Sequence, residues 1–181
     1  MLKGEPMKAI YAKTILYAYP KMEMVLNVLD DLAERKALSA FGDVRPCEEL
    51  AQRIIDITIK KDLVIKLKLL CDFVINKMTP EDQMIINYKF SKQKPNESEQ
   101  LIKSFGCNFY RKVARAVARF ARLLESCGYS EGKFEYLCNE VHLFSTELKM
   151  TKEKERYRKR KKKITVVKEK SAPQERILKC A

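Results

Sequence analysis

The sequence predicts an all-α helical bundle. Glycine and proline are scarce, five and six in 181 residues, so the many tight turns of a β-sandwich or barrel are not expected. Apolar residues recur at three- and four-residue steps along most of the chain, which is typical of helices that bury one face. Hydrophobic residues make up 46% of the chain, enough for a packed core.

The N-terminal part predicts three helices. Residues 7–19 are apolar-rich, and Pro20 ends or kinks the first helix because proline lacks the N–H donor. Residues 22–40 place apolar and charged side chains on opposite sides of a second helix. Pro46 suits the first position of a third, whose apolar run continues to Ile75. The middle of this run is rich in β-branched residues that alternate with lysine, so a strand is the alternative there.

Three shorter helices are predicted next. A Thr-Pro-Glu-Asp start predicts a helix over Thr79–Phe90, because threonine caps a helix N-terminus and proline suits the first position. A second capping box predicts a helix over Ser98–Phe105, and Gly106 supplies the positive φ that commonly ends a helix. After a tight turn, the third helix covers Asn108–Cys127.

The Asn108–Cys127 helix separates two stripes. Its apolar positions are Phe109, Val113, Ala116, Val117, Phe120, Leu123, Leu124 and Cys127. Its arginines, on the roughly opposite side, are Arg111, Arg115, Arg119 and Arg122. Arginine suits phosphate or guanine edges because its fork donates two parallel hydrogen bonds. The simpler alternative is a core helix with a solvated charged side.

Positive charge is concentrated at the C-terminal end. Ser130 caps one more helix, which runs through Phe144, and the apolar pattern stops past Leu148. Residues 149–181, the basic arm, hold 14 of the 37 Lys and Arg but only 4 of the 24 Asp and Glu. This arm is predicted to be either disordered or an extended helix. Its charge favours polyanionic partners, with nucleic acid ahead of an anionic membrane.

The three short helices also carry a family resemblance. The motif Thr79-Pro80-Glu81-Asp82-x-x-Ile85-Ile86-x-Tyr88-Lys89 is followed by Leu101-Ile102-x-x-Phe105-Gly106 and by Tyr110-Arg111-x-Val113-x-Arg115-Ala116. Together these motifs resemble the helix-turn-helix in region four of bacterial sigma factors, and they are similar to phage transcriptional regulators of the ArpU and RinA type. The resemblance covers only about residues 70–128.

What the resemblance implies is a regulator of transcription. It places Tyr110, Arg111 and Arg115 in the major groove of double-stranded DNA, with RNA polymerase or another protein as a further partner. No counterpart of the sigma region that binds the −10 promoter element is present. The N-terminal half is therefore expected to form a homodimer or to bind a partner protein.

Two groups of residues are the candidate nucleic-acid contacts. The arginine-rich helix supplies Asn108, Tyr110, Arg111, Lys112, Arg115, Arg119 and Arg122. The basic arm supplies Arg156, Arg158, Lys159 and Arg160. The corresponding division of the chain is an N-terminal helical region at 1–78, a helix-turn-helix-like unit with a packing helix at 79–148, and the arm at 149–181.

Other classes of protein fit the sequence less well. Neither G-x-x-x-x-G-K-[ST] nor G-x-G-x-x-G occurs, and the single histidine, His142, sits among apolar neighbours, so we expect neither an enzyme nor a bound cofactor. Six cysteines without a C-x-x-C pair argue against a metal site and for reduced thiols in a cytoplasmic protein. No signal peptide or membrane span is predicted.

Two alternatives to DNA binding stay open from the sequence. One is a non-enzymatic, all-helical adaptor whose arginine stripe binds an acidic partner helix. The other is an RNA-binding protein that uses the basic arm.

Overall fold

Helices are the only regular secondary structure in residues 7–39, 47–91 and 105–170, which are the residues that this computed structural model describes. They are α1 (Ala9–Ala18), α2 (Met22–Ser39), α3 (Cys47–Asn76), α4 (Pro80–Phe90), α5 (Phe109–Ser126), α6 (Glu131–Glu140) and α7 (His142–Lys170). Short 3-10 turns cover Tyr19–Lys21 and Gly106–Asn108. The predicted all-α class is confirmed.

Two predicted N-terminal caps, Thr79 and Ser130, are formed, and a glycine ends α5. The Thr79 hydroxyl accepts the N–H of Asp82 at 3.3 Å and donates to the Asp82 carboxylate at 2.9 Å. Ser130 caps α6 in the same way, accepting the N–H of Lys133 at 3.4 Å. Gly128 ends α5 with a φ of 76°, a left-handed conformation that glycine adopts without a steric penalty. These local signals therefore mark the starts of α4 and α6 and the end of α5.

Helix α3 is continuous over 30 residues, so its β-branched middle is helical, as the unbroken apolar run predicted, and the strand alternative is excluded. One sequence-based expectation needs correction. The helix predicted from Ser130 through Phe144 is two helices, because Val141 has extended angles, φ −121° and ψ 108°. This break lets Phe134 of α6 and Phe144 of α7 meet edge to face in the core, with ring centroids 6.3 Å apart.

Two further predictions fall on residues outside the described ranges. The helix predicted over Ser98–Phe105 lies almost wholly in residues 92–104, and Pro46 lies in residues 40–46. The middle helix of the predicted helix-turn-helix therefore stays a prediction.

Helix α1 lies at the centre of the packing. It contacts α4, α5 and α7, and its buried residues point in several directions around the helix. Ala12 and Ala18 have no exposed surface, and alanine at these positions lets neighbouring helices approach closely. Around α1 a single hydrophobic cluster joins residues from both the N-terminal and the central part of the chain, including Ile15, Val74 and Phe120.

Helices α2 and α3 form an antiparallel hairpin. Lys68 pairs with Glu23 and Lys61 pairs with Asp30, so the chain directions of the two helices are opposed. The core cluster includes α2 only as far as Leu26. The rest of the hairpin is therefore held chiefly by contacts between its own two helices.

Helix α7 packs antiparallel to α1 along its first half. Lys13 pairs with Glu155 at 2.5 Å, Lys21 pairs with Glu147, and Thr151 is buried. The packed part of α7 therefore extends past residue 149, where the basic arm was predicted to begin. Residues 149–170 of that arm are helical.

Candidate nucleic-acid interface

Helix α5 is amphipathic, as its two stripes predicted. One side enters the core through Ala116, Val117, Phe120, Ala121 and Leu124. That side packs against α1, α3 and α4. The burial fixes the rotation of the helix about its axis, so the opposite side must face solvent. Cys127 is the exception to the predicted apolar stripe, because it caps the C-terminus of α5 and is exposed.

The side of α5 away from the core carries the four predicted arginines, which we call the arginine face. Its members are Arg111, Arg115, Arg119 and Arg122. All four are exposed, as are Ala114 and Ala118 between them. Because alanine is small, it leaves the guanidinium groups as the most protruding groups of this surface.

Arg119 is tied to the protein itself. Its Nη1 donates to Oδ2 of Asp82 on α4, and this carboxylate is almost fully buried, with 4% of the residue exposed. The same carboxylate oxygen accepts the Thr79 hydroxyl at 2.9 Å. Since half of the Arg119 side chain remains exposed, the contact joins the α4 cap to the arginine face without removing this residue from solvent.

Arg111 and Arg115 differ from Arg119. Within the described residues neither guanidinium group has an acidic partner. They lie one helical turn apart, so their side chains are neighbours on the same face. Arg122 donates from Nε only to the carbonyl of Ala118 within its own helix, at 3.4 Å. These three forks keep donors available for an external acceptor.

Lys112 is placed differently from the arginines. Its Nζ pairs with Glu81 of α4 and lies 3.6 Å from the ring centroid of Phe105. The side chain is half-buried and directed towards its own protein. In the sequence, only its position at the border of the two stripes indicates that Lys112 contacts its own chain.

The other predicted contacts at this end of α5 are accessible. Asn108 lies in the 3-10 turn before the helix and is exposed, and its side chain makes no capping hydrogen bond. Tyr110 is 67% exposed, with the Lys89 ammonium 5.7 Å from its ring centroid. A stacking surface and a cation therefore lie close together beside Arg111.

A cleft next to the arginine face adds a residue that sequence reasoning missed. The cleft, of about 450 Å³, lies between the α3–α4 turn and α5. Lys77, Arg119 and Arg122 line it, with Asp82 at its wall. Lys77 was not a candidate because it precedes the Thr79 cap and belongs to no periodic stripe. The folded chain alone brings it to the cleft that Arg119 and Arg122 also line, and its Nζ lies 4.3 Å from the ring centroid of Phe73.

The basic arm contributes cations on α7. Arg156, Arg158 and Arg160 are exposed, whereas the side chain of Lys159 lies outside the described residues. Tyr157 is 69% exposed among them.

The thiols of the described residues differ in exposure. Cys47 and Cys127 are exposed, and Cys71 is fully buried. Burial, helped by the neighbouring Asp72 carboxylate, raises the pKa of the Cys71 thiol far above its ordinary value. Burial also raises the pKa of Cys138, to about 11.

The described residues contain no group of three or more His, Cys, Asp or Glu side chains arranged to hold a metal ion. In the same part of the chain, no helix is long and apolar enough to cross a membrane.

Comparisons with protein-family models, with curated proteins and with solved structures gave no match for this chain.

Proposed function

We propose that this protein binds duplex DNA through the arginine face of α5 and acts in the control of transcription. The observation that carries the proposal is the state of Arg111 and Arg115, which are exposed on one side of a helix and lack an acidic partner among the described residues. Such a pair of forks can bind two phosphates or the O6 and N7 atoms of guanine.

The shape of α5 supports groove entry. It is an 18-residue helix, about 27 Å long at 1.5 Å per residue. Its arginine side bears only alanine between the cations, so the backbone can come close to a surface. The major groove of B-DNA, about 12 Å wide, admits one α-helix. In this arrangement Tyr110, Arg111 and Arg115 near the helix start face the bases, while Arg119 and Arg122 lie against phosphates.

The resemblance to region four of sigma factors agrees with this use of α5. In that arrangement α4 is the first helix of the unit and α5 is the helix that reads the bases. The ties from Arg119 to Asp82 and from Lys112 to Glu81 would then hold the reading helix at a fixed angle to α4. The basic arm adds sequence-independent attraction to the phosphate backbone.

The direct test is a selection of preferred duplexes by the 181-residue chain, followed by titration of the best site with variants. Arg111→Ala and Arg115→Ala should each weaken binding by about 1–3 kcal/mol and relax the preference at one base position. Arg35→Ala is the matched control, because it removes an exposed arginine from α2 and the same net charge. Arg115→Lys should recover only part of the loss, since lysine keeps the charge without the fork.

The contribution of the distal part of the arm, residues 161–181, can be measured separately. A deletion of 161–181 removes seven Lys or Arg and two Asp or Glu, and it leaves Glu155, which pairs with Lys13 of α1, in place. We expect weaker binding and a shallower dependence on salt, with an unchanged base preference. If this deletion abolished the base preference, base recognition would have to be assigned to the arm and not to α5.

Two results would favour the other candidate functions. The cations Lys112 and Arg119 already bind carboxylates of α4, which is the chemistry an acidic partner helix would offer. If the chain shows no preference among duplexes, the adaptor function is favoured over sequence-specific DNA binding. Crosslinking in cells would then identify the acidic partner. Binding to RNA that is lost on deletion of 161–181 and kept in Arg111→Ala would assign RNA binding to the arm.

A further inference from the structure

The outer side of α3 carries a regular row of exposed side chains, which we call the α3 seam. Its members are Ile55, Ile59, Asp62, Lys66, Leu69 and Phe73. The steps between them alternate between four and three residues, which is the a and d spacing of a coiled coil. The row extends over about 27 Å at 1.5 Å per residue.

The apolar members of the seam are strongly exposed. Ile55, Ile59, Leu69 and Phe73 have 46–62% of their surface accessible. The opposite side of α3 is already covered, because Ile57 and Val64 are buried there and α2 packs against α3. Large exposed apolar rows are unusual in proteins that act alone, and they commonly mark a surface that binds another chain.

The order of residues along the seam indicates that the chain bound there is a second copy of this protein. About Val64, each member has a counterpart at the same distance on the other side. The counterparts are Ile55 with Phe73, Ile59 with Leu69, and Asp62 with Lys66. A surface with this order is complementary to a second copy of itself turned end for end about a two-fold axis.

The two central charges make the antiparallel direction the favourable one. Asp62 and Lys66 pair within the helix at 2.5 Å, with 54% and 71% of their side chains exposed. In an antiparallel pair, each carboxylate also faces the ammonium group of the second copy. A parallel pair would instead set Asp62 against Asp62 and Lys66 against Lys66, and such like-charge contacts oppose binding.

The surroundings of the seam agree with helix pairing. Leu63 and Leu70 lie beside it, half-buried, at a cavity of about 490 Å³ between α3 and α6. They would extend the apolar contact on one flank. Helix α2 lies on the other side of α3 and leaves the seam open.

From this order of residues we infer that the protein forms a two-fold symmetric dimer in which the α3 seams of two copies pack antiparallel. Val64 marks the level of the symmetry axis. The inference does not depend on nucleic-acid binding, because the seam and the arginine face lie on different helices.

Sedimentation equilibrium of the 181-residue chain over a range of concentrations tests the dimer. We expect Ile59→Glu to raise the dissociation constant at least about tenfold, because it sets a carboxylate against Leu69 of the second copy. Val28→Glu is the matched control, since Val28 is 58% exposed on α2 and lies outside the seam, and it should leave the dissociation constant unchanged. A chain that stays monomeric, or equal dissociation constants for wild type and Ile59→Glu, would overturn the inference.

A charge exchange tests the central pair. Asp62→Lys alone and Lys66→Asp alone should each weaken the dimer, because each sets like charges against one another. The double variant Asp62→Lys/Lys66→Asp should restore wild-type association. A double variant as weak as the single ones would show that these residues do not meet across the interface, and the inference would fail.

Crosslinking tests the direction of packing. A mixture of chains carrying Ile55→Cys and chains carrying Phe73→Cys should form a disulfide between these two positions. Chains carrying Ile55→Cys alone should not crosslink through that position. Mass spectrometry of the linked peptides separates these products from any that involve the exposed Cys47 and Cys127. Crosslinking between two copies of Ile55→Cys would mean a parallel dimer and would contradict the proposed geometry.

Discussion

Helices α3 and α5 both bury one side and leave a regular row of side chains on the other, but the two rows have opposite chemistry. The exposed row of α5 is cationic, with Arg111 and Arg115 open to solvent. The exposed row of α3 is mostly apolar, with Ile59 and Leu69 among its members. Both helices therefore use the same packing principle and present different surfaces.

The difference matters because the two rows have different hydration free energies. An arginine in solvent is favourably hydrated, so its exposure carries no free-energy cost. Covering an exposed isoleucine with another apolar surface lowers the free energy by about 25 cal/mol for each Å² of apolar surface removed from water. The α5 row is therefore stable as it stands and suited to an anion, whereas the α3 row is stabilised further by a second apolar surface.

The largest expected effect contrasts one phenylalanine from each helix. Phe120 of α5 has no exposed surface, whereas Phe73 of α3 is 48% exposed. Phe120→Ala should lower the free energy of unfolding by about 3–5 kcal/mol, because it leaves a cavity in the core. Phe73→Ala should lower it by about 1 kcal/mol or less in the monomer.

Urea unfolding followed by circular dichroism measures both changes, at a concentration where the chain is monomeric. Similar losses for the two variants would mean that the outer side of α3 is covered by the rest of its own chain.

A smaller effect contrasts two arginines of the same helix. Arg119→Ala should lower the free energy of unfolding by about 1 kcal/mol, because it leaves the buried Asp82 carboxylate without its cation. Arg115→Ala should change it by less than about 0.5 kcal/mol.

A double-mutant cycle of Arg119→Ala with Asp82→Asn measures the coupling directly by denaturant unfolding. A coupling energy near zero would show that the contact between α4 and α5 does not contribute to stability, and Arg119 would then be as available to DNA as Arg115.

The smallest perturbation, alkylation without any mutation, compares thiols at the two ends of α3 and at the end of α5. Iodoacetamide at neutral pH should modify the exposed Cys47 and Cys127 in the folded chain and leave Cys71 intact until denaturant is added. Cys71 is protected because burial both blocks access and raises its pKa, which keeps the thiol protonated. Peptide mass spectrometry identifies the modified sites. Early modification of Cys71 would mean that α3 separates readily from the core.

Local signals in the sequence were enough to predict most of the helices and the arginine face. Thr79 and Ser130 cap helices by hydrogen bonds to residues three positions away, so their role can be recognised from a few neighbouring letters. The two stripes of α5 could be separated because its apolar and cationic residues occupy different sides of a single helix. The confirmed predictions all concern interactions within one or two helical turns.

For helix α3, the sequence did not predict which of its apolar sides is buried. Apolar residues occur on both of its sides, since Ile57 and Val64 are buried while Ile55 and Ile59 are exposed. The spacing alone gives both sets a helical period, so it cannot tell which set enters the core. The heptad order of the exposed set became visible only when the position of α2 was known.

The amino-acid sequence alone determined most of the helices, the caps at Thr79 and Ser130, the separation of charge from apolar surface on α5 and the concentration of cations towards the C-terminus. Packing between distant segments set the rest: Arg119 meets Asp82 across 37 positions and Lys112 meets Glu81 across 31. It also exposed Cys127 and divided the predicted helix at Val141. The physical reason is range, because capping and periodicity act between near neighbours, whereas burial and ion pairing depend on which helices the folded chain brings together.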